Sequence, residues 1–196
     1  MAREKAATAP GSSPALSLRP DNPIAASNLG VTQLWTGRYP EAVTSLELAA
    51  RYAPKNYRIQ ANLGDAYRAV KKPASTAAAY ARSIALAQEQ LRLNPRDAVA
   101  HSYAATGLAK TNRAAEAAAE VKQAIELEPK EPSILLDAAV VAALAGRTAE
   151  AMDSLRKAVA AGYCRTIIAR QPEFERFRND PAFQAIVAAP PRAAGI

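Results

Sequence analysis

Any chemistry in this chain has to be built from very few reactive side chains. The sequence holds one histidine, His101, and one cysteine, Cys164. One thiol cannot close a disulfide within the chain, and one imidazole with one thiol cannot complete a zinc-type ligand set. There is no G-x-S-x-G, no Walker glycine loop, no G-x-G-x-x-G and no H-E-x-x-H. Carboxylates are plentiful, but helical surfaces carry them in solvated i,i+4 pairs as a matter of course. The reading is therefore of a protein that is not an enzyme and needs no cofactor or metal. Cys164 is expected to be a structural thiol, since no helix start or base is predicted beside it, although Arg165 follows it directly.

The elements that position these residues are helical. About half of the 196 residues are hydrophobic (49%), aromatics make up only 6%, and alanine dominates the apolar set. Alanine with leucine and few β-branched runs favours helix over strand. The 25 Lys+Arg against 18 Asp+Glu leave a net charge of +7. That charge is dispersed, with no run of five like charges, so it reads as a solvated basic surface and not as a nucleic-acid stripe. Residues 1–21 lack the apolar core of a secretory signal, and the most apolar run, Ala138 to Ala145, is far too short to span a bilayer. A soluble, cytoplasmic chain is the expectation.

A period organises the helices. Counting from Pro23 as position 1 of a 34-residue frame, Leu29, Gly30, Gly37, Ala42, Leu46, Ala49 and Pro54 stand at positions 7, 8, 15, 20, 24, 27 and 32. Small residues at 8, 20 and 27 let two antiparallel helices approach closely, glycine at 15 suits the turn between them, and proline at 32 ends the second helix. The offsets return at Tyr57 with Leu63, Gly64, Tyr67 and Tyr80. There the closing proline arrives about two helical turns late, at Pro95, so the second helix is expected to run on through Leu91 and Leu93 with its inward face preserved. They return again with Ala104, Ala105, Leu108, Ala117, Val121, Ala124 and Pro129. A weaker fourth set is Ala138, Ala139, Gly146, Ala151, Leu155 and Ala158.

This pattern resembles the tetratricopeptide repeat (TPR), and it implies an all-α, right-handed solenoid of about four helix-turn-helix repeats. The repeats are placed at 23–56, 57–97 (extended), 98–131 and 132–163, within an array from 22 to 162. They follow a flexible arm at 1–21. The stretch 163–188 contains PEFERFRNDPAFQAIV and resembles the helical element that closes many bacterial TPR arrays; it is expected to cap repeat four with two or three short helices, leaving a tail at 189–196. No comparable cap precedes repeat one, and the expectation is that further repeats or another domain stood upstream or that the repeat packs against a second chain as a homodimer. His101, at position 4 of repeat three, falls where the pattern wants a packing residue.

In the TPR family the first helices of the repeats line a concave groove that holds a peptide or a partner helix. Carried over position by position, the groove residues are Asn28, Trp35, Arg58, Asn62, Asp65, Arg68, Tyr103, Lys110 and Asp137. Trp35 is expected to be partly buried between repeats. The variant of this site that clamps acidic chaperone C-termini is not matched: its places hold Ser27, Val31, Asn62, Val99 and Tyr103, and only Asn62 fits. The stretches NYRIQANLGDAYRAV and AYARSIALAQEQLRLNPRD further resemble the C-terminal TPR regions of bacterial eukaryotic-like serine/threonine kinases and winged-helix regulators. In some of those the repeats follow a membrane span and lie outside the cytoplasm. The function these features imply is a non-catalytic scaffold or sensor that binds a protein or peptide in its groove, in bacterial signalling or regulation. The alternatives are a basic helical repeat associated with nucleic acid, against which Asp65 and Asp137 count mildly, and a structural spacer that dimerises through repeat one.

Overall fold

The computed structural model describes residues 22–188; the arm at 1–21 and the tail at 189–196 lie outside them. Four helix pairs follow one another: α1 (Pro23–Trp35) with α2 (Tyr39–Tyr52), α3 (Tyr57–Ala69) with α4 (Pro73–Leu93), α5 (Ala98–Lys110) with α6 (Ala114–Leu127), and α7 (Pro132–Leu144) with α8 (Thr148–Ala160). Three short elements close the described chain: α9 (Arg165–Ile168), a 3-10 helix (Pro172–Phe177) and α10 (Pro181–Ala188). Among the described residues there is no strand.

Local chemistry sets where these helices start and stop. The first helix of each pair is opened by a side-chain cap: Asn22, Asn56, Asp97 and Glu131 each accept from backbone N–H groups two or three residues on. The second helices have no such cap. They follow a turn residue in the left-handed region, which is Gly37 (φ +77°), Lys71 (+57°), Asn112 (+62°) and Gly146 (+78°). All four stand at position 15 of the frame. Glycine and asparagine take that conformation at little cost, and Lys71 is held in it by the turn.

Packing within each pair depends on the small residue at position 8. A Cβ added to Gly30 would sit 2.5 Å from Leu46 Cγ, and one added to Gly64 would sit 2.5 Å from the Tyr80 ring. Repeats three and four carry Ala105 and Ala139 there, packed in the same clusters as Val121 and Leu155. Helix α4 is 21 residues long, yet its buried positions end at Ala87. Leu93 is 80% exposed. The inward face expected to continue to Leu93 is therefore not preserved, because the last turn of α4 overhangs its neighbours.

The largest core cluster joins the final pair to the end of the chain. Phe174, Phe177, Phe183 and Ile186 pack with Leu135, Leu136, Met152, Leu155 and Ile168. The three phenylalanine rings lie 6.1 to 6.5 Å from one another. Aromatic rings at these distances bury large apolar surfaces against one another, and here they seal the end of α7 and α8.

Candidate functional site

The first helices α1, α3, α5 and α7 share one face, and the solenoid curls around it. Asn28, Trp35, Arg58, Asn62, Asp65, Arg68, Tyr103 and Asp137 all line a single cavity of about 1040 Å³ on that face. Lys110 is not part of its wall; it reaches the same charges from behind, with Nζ 2.6 Å from Asp65 Oδ1. Residues not expected from the sequence complete the lining: Ile24, Val31 and Leu34 from α1, Asn56 before α3, and Tyr163, Ile167, Arg170 and Gln171 from the C-terminal segment.

The cavity has two chemically distinct ends. Near repeat one the wall is apolar and amide-bearing. Ile24 is 68% exposed and Trp35 42%, so Trp35 is partly covered and still presents part of its ring to the cavity. Asn62 also lines the cavity, from α3, and its amide has no hydrogen-bond partner among the described residues. Arg58 sits over the rings of Tyr57 and Tyr103, with Cζ 5.8 and 5.9 Å from their centroids, and the two rings meet edge to face. Stacking of that kind holds a guanidinium in place and leaves its donors free.

The opposite end is filled by ion pairs. Asp65 accepts from Lys110 Nζ, from the Tyr80 hydroxyl at 2.6 Å and from Arg68 at 3.4 Å. Arg68 also donates to Glu173 Oε1 at 2.5 Å, and Lys110 Nζ lies 3.6 Å from the same oxygen. The Glu173 side chain is only 2% exposed. Burial works against its ionisation, but the Lys110 and Arg68 charges, with hydrogen bonds from Arg68 and the backbone, hold its carboxyl well below the usual range. Burial likewise opposes the charge on Lys110, and Asp65 and Glu173 overcome it, raising that group well above an ordinary lysine. Farther along the wall, burial pushes Asp137 up to about 6, against the lowering effects of the Ser102 hydroxyl, which donates to it at 2.5 Å, and of Lys110.

Several of the expected roles change. Arg68, Lys110 and Asp65 are not free recognition groups, because the chain's own Glu173 already engages two of them. The C-terminal segment does more than cap repeat four, since it reaches the concave face and, through Arg170 at 3.5 Å, the backbone carbonyl of Trp35. Cys164 is exposed and stands immediately before α9, so it is not a buried structural thiol. Its Sγ contacts the Thr166 hydroxyl at 3.1 Å, and that hydrogen bond, with those from the Ile167 and Thr166 backbone, lowers its pKa. His101 is held by polar contacts as well as packing: Nδ1 lies 2.6 Å from Glu120 and Nε2 3.1 Å from the carbonyl oxygen of Pro95.

The sequence matches no family model and no curated protein. Solved structures do match. A thermophilic TPR protein of Thermus thermophilus, TTC0263, aligns over 76% of this chain and 78% of its own, with 26% identity and a TM-score of 0.55. This chain has the TPR fold. Two more distant matches are YrrB, described as a TPR protein with an unusual peptide-binding site (22% identity, 76% and 73% of the two chains, TM-score 0.42), and MamA (20% identity, 75% and 82%, TM-score 0.43). Among the described residues, no helix is long and apolar enough to cross a membrane, and no group of three potential metal ligands is found.

Proposed function

We propose that this chain is a non-catalytic protein-interaction module that binds a short extended segment or one face of a helix in the concave cavity. The observation that carries the reading is the cavity itself, lined by a part-exposed tryptophan, an amide unpartnered among the described residues and a stacked arginine beside the apolar Ile24 and Val31. That combination suits a peptide. Amides bond to its backbone, a guanidinium selects a carboxylate, and the Ile24, Val31 and Trp35 surfaces take an apolar side chain. The resemblance to TPR regions of bacterial kinases and winged-helix regulators supports a setting in signalling or regulation. The nucleic-acid alternative loses ground, because Arg68 and Lys110 are neutralised by Asp65 and Glu173 and offer no continuous basic stripe.

The test uses the only tryptophan in the sequence as its reporter. Peptides selected by display on the intact chain are titrated while Trp35 emission is followed. The Arg58→Glu, Asn62→Ala double variant serves as the comparison, with circular dichroism confirming its fold. Selected peptides are expected to shift Trp35 emission and to lose roughly tenfold or more in affinity to the double variant. Peptides that bind both proteins equally and leave the emission unchanged would place the binding surface elsewhere.

A further inference from the structure

The Glu173 contact is unusual for a solenoid, in which each repeat ordinarily touches only its neighbours. Glu173 belongs to the segment packed on repeat four, whereas Arg68 belongs to repeat two, 105 residues earlier in the chain. Arg170, in the same segment, reaches the Trp35 carbonyl 135 residues back. Both contacts cross the concave face. The cations they meet are built in: Lys110 is largely enclosed, with a side chain 13% exposed, and Asp65 and Tyr80 fix the cluster from the other side.

We propose that Arg68 and Lys110 form a carboxylate-binding site on the concave face whose resident ligand is the chain's own Glu173, and that through it the C-terminal segment straps the ends of the solenoid together. Three physical arguments support it. Lys110 is enclosed and Arg68 part-exposed, Asp65 is the carboxylate they share on their own side, and the buried Glu173 supplies a second one. The phenylalanines beside Glu173 are anchored in the last core cluster, so a tie at Glu173 transmits to repeat four as a rigid body. The tie also bounds one end of the cavity, where Arg68, Gln171 and Pro172 line the wall, so the space available to a partner depends on it. A side-chain carboxylate on a bound segment belongs to the one chemical class that competes with Glu173 for this site. Only that competition rests on the partner reading given above; the strap is tested without any peptide.

The test compares the full chain with Glu173→Ala and Glu173→Gln. Removing the carboxylate leaves Arg68 and Lys110 undercompensated, and Glu173→Ala is expected to lower Tm by roughly 5–10 °C. Acrylamide quenching of Trp35 should rise in both variants, because Arg170 no longer holds the segment against the end of α1. Sodium acetate, against sodium chloride of equal ionic strength, should recover part of the lost Tm in the alanine variant only, since acetate fits the vacated space and the glutamine side chain keeps it filled. An alanine variant that matches the parent in Tm and quenching would overturn the proposal, as would acetate stabilising parent and variant alike. If the alanine variant does not fold, the isosteric glutamine variant decides: unchanged Trp35 quenching there also overturns it. Failure of peptide binding with an intact strap would count only against the partner reading.

Discussion

Replacing Gly64 by alanine sets two opposing effects against each other. Gly64 lies inside α3, where alanine is the better helix former by about 1 kcal/mol. On propensity alone the variant should be more stable. The new Cβ, however, would stand 2.5 Å from Tyr80 Cε1 and 2.6 Å from Cδ1. Tyr80 is only 2% exposed, and its hydroxyl is tied to Asp65 at 2.6 Å, so the ring cannot tilt away without stretching that bond. Overpacking costs about 1–3 kcal/mol and a lost hydrogen bond to a charged group about 1.5–3, so the net change is a destabilisation of roughly 1.5–5 kcal/mol. Urea denaturation followed by circular dichroism, with m-values compared to confirm a common unfolding reaction, measures it directly. Gly107→Ala is the milder comparison, because its nearest neighbour, Ile84 Cγ1 at 2.9 Å, is less closely approached and is tied by no hydrogen bond, so its cost should be the smaller of the two. A Tyr80→Leu background should remove most of the Gly64→Ala penalty, since repeat four already pairs Ala139 with Leu155 in one cluster. A Gly64→Ala protein as stable as the parent, or more so, would refute the packing argument and leave propensity in charge.

The buried carboxylates make stability depend on pH in opposite directions. Asp137 is raised from its ordinary 3.8 to about 6, so between those values the folded protein holds a proton that the unfolded chain releases. Its contribution to stability is therefore full below about pH 4 and lost as the pH rises through 6. Glu173 is held low, and its contribution is present above the usual carboxylate range and lost on acidification. Asp137→Asn should gain stability relative to the parent as the pH goes from 4 to 7, and a difference independent of pH in parallel urea titrations would contradict the assignment. Exposed Cys164 should react with a disulfide reagent such as DTNB in the native state at a rate comparable to that in urea, and Thr166→Val should slow the reaction at neutral pH by removing the hydrogen bond that favours the thiolate. Labelling that waits for unfolding would show the thiol to be enclosed.

Much of this fold was legible because a TPR encodes it locally. The position-15 turn is the clearest case: glycine announces it in repeats one and four, and Lys71 and Asn112 adopt the same left-handed conformation where glycine is lacking. The small residue at position 8 predicted the close helix approach, and the structure shows what it approaches, Leu46 and Tyr80. The gathering of the groove positions followed from the same register. The overhang of Leu93 did not, because apolar spacing marks a face without revealing whether anything covers it.

The reach of the C-terminal segment was hidden for a related reason. Curvature in a solenoid accumulates from small rotations per repeat, so which distant residues meet across the concave face is not written in any one repeat. The stretch PEFERF shows its phenylalanines plainly, and Glu173 and Glu175 look alike in it. The structure separates them: Glu175 pairs at the surface with Arg178, and Glu173 turns inward. The groove positions put Arg68 and Lys110 on one face with Asp65, and Asp137, which the Ser102 hydroxyl serves, is pushed toward neutrality by burial. Enclosed charges are rarely left unpaired, and the enclosed Lys110 lies within reach of both Asp65 and Glu173. The second acid at that face comes from Glu173. The C-terminal segment delivers it at a fixed depth, because Phe174 and Phe177 beside Glu173 are anchored in the last core cluster.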